Sequence, residues 1–139
     1  MTRKEEIEKT AMQVAGVHPD WSNLVLYEGK VVKVEQITKK KIGFHRCEGE
    51  TRMNYARLYE IEPIPITEEL LTKIGFVKRI YSDKIFAYGG GMLSTVYFIE
   101  STMIDIRTED NDATILCKHL HQLQNAYYLV TGKELEIKI

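Results

Sequence analysis

Two short clusters, His45-x-Cys47 and Cys117-x-His119-x-His121, hold both thiols of the chain and three of its four imidazoles. Thiolate and imidazole are ligands that zinc favours, so these five groups raise the idea of a metal site. Their spacing argues against it, because structural zinc sites use tight pairs such as C-x2-C and neither cluster contains one. On a helix only Cys117 and His121, four residues apart, would share a face. They are the metal candidates, and also the one neighbouring pair in which an imidazole could activate a thiol. No signature of a thiol enzyme surrounds them, and ordinary packing accounts for both. The expectation is no catalytic residue, no metal and no cofactor.

Gly89-Gly90-Gly91 has the bare backbone that can cradle a phosphate, but no Lys-Ser or Lys-Thr follows and the next segment alternates like a strand. It reads as a mobile hairpin tip able to touch a partner. Lys39-Lys40-Lys41, with Lys33 and Arg46 near by and Tyr27 and Phe44 on adjoining strands, is the best hint of nucleic-acid contact, since cationic loops beside stacking rings suit single strands. The same lysines would also serve as a solvated turn that blocks edge pairing. Glu68 and Glu69 are adjacent carboxylates explained by the positive end of a helix. The candidate partner-binding residues are thus Lys39, Lys40, Lys41, Gly89, Gly90 and Gly91.

The elements that must position these residues turn on the stretch Ile61–Phe76, IEPIPITEELLTKIGF. Pro63 and Pro65 hold the chain extended, Thr67 caps a helix, and Gly75 stops it. Before this stretch, Lys4–Ala15 carries the thin apolar stripe Ile7, Ala11, Val14, a short helical arm closed by Gly16, and Trp21 anchors it. From Leu24 the period is two. Leu24–Tyr27 and Val31–Ile37 flank a Glu28-Gly29 turn, Ile42–Arg46 alternates, and Tyr55–Ile61 gives a fourth strand. Such short strands predict a small curved antiparallel sheet or an SH3-like barrel.

After the central helix, Phe76–Tyr81, Lys84–Tyr88, Thr95–Ile99 and Met103–Arg107 predict a four-stranded meander, with Thr108–Asp112 as a solvated loop. Leu116, Leu120, Leu123, Tyr127 and Val130 then recur at helical spacing up to Thr131-Gly132, predicting a helix over about Lys118–Thr131. His119, Gln122, Gln124 and Asn125 are polar groups around this stripe; exposed they would bind a partner, and turned inwards, the reading preferred here, they would fix the sheet's loops by hydrogen bonds. Leu135–Ile139 alternates and adds a final strand.

At 139 residues with a net charge of −1, the chain has the size of one ordinary domain and no strong overall field for nucleic acid or anionic membranes. No apolar run approaches the roughly 20 residues of a membrane helix. Met1–Lys9 is charged, unlike a signal peptide, so a cytoplasmic protein with reduced Cys47 and Cys117 is expected. The reading is one α+β domain over residues 1–139: a helical arm at 1–20, a β-rich subregion at 21–62, and helix, β-meander, helix and final strand at 63–139. The thin stripe of the arm leaves a homodimer open.

PIPITEELLTKIGF and HQLQNAYYLVTGKELEIKI together resemble a group of small uncharacterised proteins carried by phages and prophages of gut Bacteroidales. Their usual pattern runs "IGN-V…GK-V-V", matched here by Asn23–Val34, then "PIPLTEEWLLKFGF" and "HQLQNLY-ALTGEEL". The resemblance covers about residues 23–139 and departs from the pattern at Leu70, where a tryptophan is common, and in the N-terminal helix. It implies a setting and no chemistry. The function expected is a non-enzymatic phage or prophage accessory protein that binds a host or phage protein. The alternative is a nucleic-acid-binding accessory protein using the Lys39–Lys41 turn, and after it a small metal or thiol enzyme.

Overall fold

The computed structural model describes residues 17, 23–38, 40–46, 49–89, 94–135 and 137. These form eleven strands in three antiparallel sheets, with two α-helices. The expected N-terminal helix, Trp21, Lys39, Cys47, Gly90, Gly91 and most of the expected final strand lie outside the described residues. The chain divides into two compact units, residues 1–64 and 65–139, at the second proline of the PIPI stretch.

In the first unit, β1 (Leu24–Tyr27) and β2 (Lys30–Lys33) make a hairpin around Glu28 and Gly29, whose φ values of 52° and 76° are the paired positive angles that a two-residue turn needs to match strand twist. The chain continues through Val34 and Glu35 into β3 (Gln36–Ile37). Val34 N–H still bonds Asn23 O at 2.9 Å, while Glu35 N–H bonds Gly43 O at 2.9 Å, so one bent segment serves two sheets. The orders are β2-β1-β6 and β3-β4-β5, with β4 at Lys41–Phe44, β5 at Asn54–Arg57 and β6 at Ile61–Glu62. The expected strand Tyr55–Ile61 is broken by a 3-10 turn at Leu58–Glu60, because the Glu60 carboxylate turns back to accept from Arg57 N–H at 2.9 Å. Val25, Val32, Val34, Ile42, Phe44, Ala56 and Ile61 fill the core between the sheets.

In the second unit, α1 (Glu68–Ile74) is built as its terminal residues dictate. The Thr67 hydroxyl accepts from Leu70 N–H at 3.1 Å, and Gly75, at φ 117°, donates to Leu71 O and Thr72 O. Leu70, Leu71 and Ile74 form its buried face. There follows a five-stranded meander: β7 (Val77–Lys78), β8 (Ile85–Tyr88), β9 (Ser94–Phe98), β10 (Met103–Arg107) and β11 (Asp112–Leu116). β11 corrects the expectation of a loop running into a helix. Its five residues pair with β10 from Met103↔Leu116 to Arg107↔Asp112, and Leu116 is an exposed edge residue, not the start of a helical stripe.

The last helix, α2 (Leu120–Thr131), packs on β10 and β11. Its start is set by Gln122, whose side-chain oxygen accepts from Lys118 N–H at 2.8 Å and His119 N–H at 3.1 Å. No helix is long and apolar enough to cross a membrane, among the described residues.

Candidate functional site

The Cys117 region is the first place to look for chemistry, and it is an interior joint. Cys117 precedes α2, so the helical i, i+4 arrangement with His121 does not form. Both residues are fully buried. Burial pushes the Cys117 thiol up to about 12, which leaves almost no thiolate at neutral pH. Its carbonyl accepts from the Tyr97 hydroxyl at 2.7 Å, pinning the chain to β9, and burial likewise raises that hydroxyl to about 12. The His119 and His121 rings stack at 6.1 Å, and partial burial together with Lys118 lowers the His119 pKa. His45 lies in the first unit and bonds Glu35 at 2.5 Å. No three metal-ligating side chains gather among the described residues.

An open cleft of about 760 Å³ lies in the second unit between Tyr88 and Thr95 on the sheet, Arg107 and Thr108 at the end of β10, and Tyr127 and Lys133 at the end of α2. Tyr88 and Tyr127 line it with ring centroids 5.9 Å apart, and the buried Phe76 ring stacks on Tyr88 at 5.2 Å. Gly89 sits at its mouth, exposed. The far end of β8 carries a different feature. Arg79 N–H bonds Ile85 O at 2.9 Å, Ser82 N–H bonds Arg79 O at 3.3 Å, and Lys84 N–H bonds the Ser82 hydroxyl at 3.2 Å. Lys84 also pairs with Glu100, which raises the Lys84 pKa. This braced turn presents Ile80 at 105% and Tyr81 at 78% exposure, beside Val77 at 68%. The expected strand Phe76–Tyr81 ends at Lys78, and the turn that follows carries Ile80 and Tyr81 outward.

In the first unit Lys40 and Lys41 are exposed, as a cationic turn should be. The rings expected to stack beside them do not serve. Phe44 is fully buried and packs on Tyr27 at 5.3 Å, as part of the core. Among the described residues of this unit the exposed rings are Tyr55 and Tyr59. Tyr55 and Arg57 alternate on the outer face of β5, with Arg57 opposite Lys41 on β4. The Arg57 guanidinium lies 5.9 Å from the Tyr59 ring centre and donates to its hydroxyl at 3.0 Å. Three acidic groups, Glu28, Glu60 and Glu62, line a smaller cleft with Tyr27, whose pKa is raised by burial and then by Glu28 and Glu60, while Glu35 pairs with His45 and Glu50 accepts from Arg46 N–H and the Asn54 amide. The candidate residues Lys40 and Lys41 therefore belong to one unit and Gly89 to the other.

No protein-family model, no curated protein and no solved structure matches this chain.

Proposed function

We propose that this chain is a non-enzymatic accessory protein of phage or prophage type that acts by binding another protein, with residues 23–62 closed as an SH3-like barrel. The setting rests on the two sequence blocks. The barrel reading is supported by the bent segment Lys30–Ile37 shared between the sheets, the 3-10 turn before the last strand, and the return of β6 to β1.

The observation that carries protein binding is the β7–β8 turn. A hydrogen-bonded turn that holds Ile80 and Tyr81 outward pays little conformational entropy when they dock, and burying Ile80 alone would contribute about 1.5–3 kcal/mol. Large apolar and aromatic anchors of this kind dominate protein interfaces. The inert, buried Cys117 thiol supports a binding role over thiol chemistry.

The test is capture of partners from host lysate on the tagged full chain and on an Ile80→Ser/Tyr81→Ser variant, each with and without nuclease. The proposal expects a protein retained by the wild type after nuclease and lost from the variant. Equal retention by both, or retention abolished by nuclease, overturns it.

A further inference from the structure

The outer face of β3-β4-β5 sets cation against cation. Lys41 and Arg57 are direct cross-strand partners, both exposed, and neither makes an ion pair with a described carboxylate. Like charges directly opposite on a sheet oppose folding. The carboxylate nearest Arg57 in sequence, Glu60, is turned to the Arg57 backbone N–H and not to the guanidinium. Residues 23–64 hold eight Lys and Arg against six Glu; Glu28, Glu60 and Glu62 gather around the Tyr27 cleft, Glu35 pairs with His45, and Glu50 accepts from Arg46 N–H and the Asn54 amide, so none of these five is ion-paired with Lys41 or Arg57 on this face.

Two residues along from this pair, beyond the Ile37, Ile42 and Ala56 row that faces the other way, stand Gln36, Gly43 and Tyr55. Gly43 has no side chain between its neighbours, and a Cβ there would meet Met53 at 3.1 Å and the Gln36 Cβ at 3.2 Å. Gln36 therefore reaches across the middle strand, and its side-chain oxygen accepts from the Tyr55 hydroxyl at 3.3 Å. The ring is oriented in advance and 54% exposed. An oriented ring two residues along β5 from two opposed cations is complementary to a ligand that alternates flat rings with negative charges.

We propose that this face binds single-stranded nucleic acid, with a phosphate between Lys41 and Arg57 and a base stacked on Tyr55. The inference is independent of the protein-binding reading, since it uses first-unit side chains alone and its failure leaves Ile80 and Tyr81 unaffected.

Fluorescence anisotropy on the full chain, with a labelled mixed-sequence DNA strand of about 12 nucleotides, tests it. Two or three phosphate contacts predict an affinity about seven- to twentyfold weaker at about 200 mM than at about 50 mM salt. Lys41→Glu separates binding from folding, because it turns a repulsive pair into an attractive one. Binding should fall at least tenfold while the urea midpoint of the same variant stays level or rises. Tyr55→Leu should cost at least about fivefold, the lower end of one base-stacking contact. The inference is overturned if no binding is seen at about 100 µM protein in low salt, if Lys41→Glu leaves affinity unchanged, or if a labelled polyglutamate peptide binds as tightly as the DNA. The last result would assign the face to acidic protein segments.

Discussion

The two units of this protein solve the problem of a small interior in different ways. The first surrounds Ile42 and Phe44 with aliphatic side chains, and its one buried polar side chain among the described residues is Asn23. The second buries Thr95, His121 and Gln124 among its hydrophobic residues and ties Cys117 to β9 through the Tyr97 hydroxyl. A hydrocarbon core holds by shape and area alone, whereas a polar one also holds by named bonds whose loss leaves a buried group unsatisfied. The groups with chemical potential in the second unit, Cys117 and Tyr97, are spent on structure, and both units turn their unspent groups outward.

Substitutions can break this contrast. Phe44→Ala should have the largest effect, about 3–5 kcal/mol from lost transfer and an unfilled cavity, read by urea unfolding. A loss under about 1 kcal/mol would mean that the first unit does not depend on its apolar cluster. Tyr97→Phe keeps the ring and removes the hydroxyl, so its expected cost of about 1–3 kcal/mol isolates the bond to the Cys117 carbonyl. In the same variant, carrying Cys47→Ser as well, Cys117 should be alkylated sooner than in the Cys47→Ser parent, because the joint opens more often. Unchanged stability and unchanged alkylation would show that the bond holds nothing.

The smallest effect is one of pH. His119 has a lowered pKa in the folded protein because of partial burial and Lys118, so the unfolded chain takes up its proton first as pH falls. Stability should be full above the ordinary histidine value of about 6.5 and decline below it until the folded-state pKa is passed. His119→Asn keeps a good residue at the N-cap of α2 and should flatten that decline in urea-unfolding curves taken between about pH 7 and 5. A slope unchanged in the variant would place its origin in another group.

Much of this architecture was readable from particular residues. Thr67 and Gly75 bound α1, Glu28-Gly29 marks the first hairpin, and the spacing Leu120–Leu123–Tyr127 marks α2, because each signal acts through its own backbone. β11 was hidden because Leu116 happens to fit the four-residue spacing to Leu120, and only the Gln122 side chain, closing on Lys118 and His119, decides where the helix begins. The outward groups were harder still. Alternation in Asn54–Arg57 separates Ala56 from Tyr55 and Arg57 without saying which face is covered. Ile80 and Tyr81 look like strand interior until the turn is seen to carry them outward.

Under the proposed function the protein works by presenting Ile80 and Tyr81 to a protein partner. The direct measurement replaces Ile80 with a photo-crosslinking phenylalanine analogue in the full chain, expressed in host cells and irradiated. The same analogue at Glu109, exposed in the second unit away from this turn, is the control. The account predicts a discrete heavier species from position 80 that contains one other protein and is absent from position 109. The same products from both positions, or none from position 80, would contradict it.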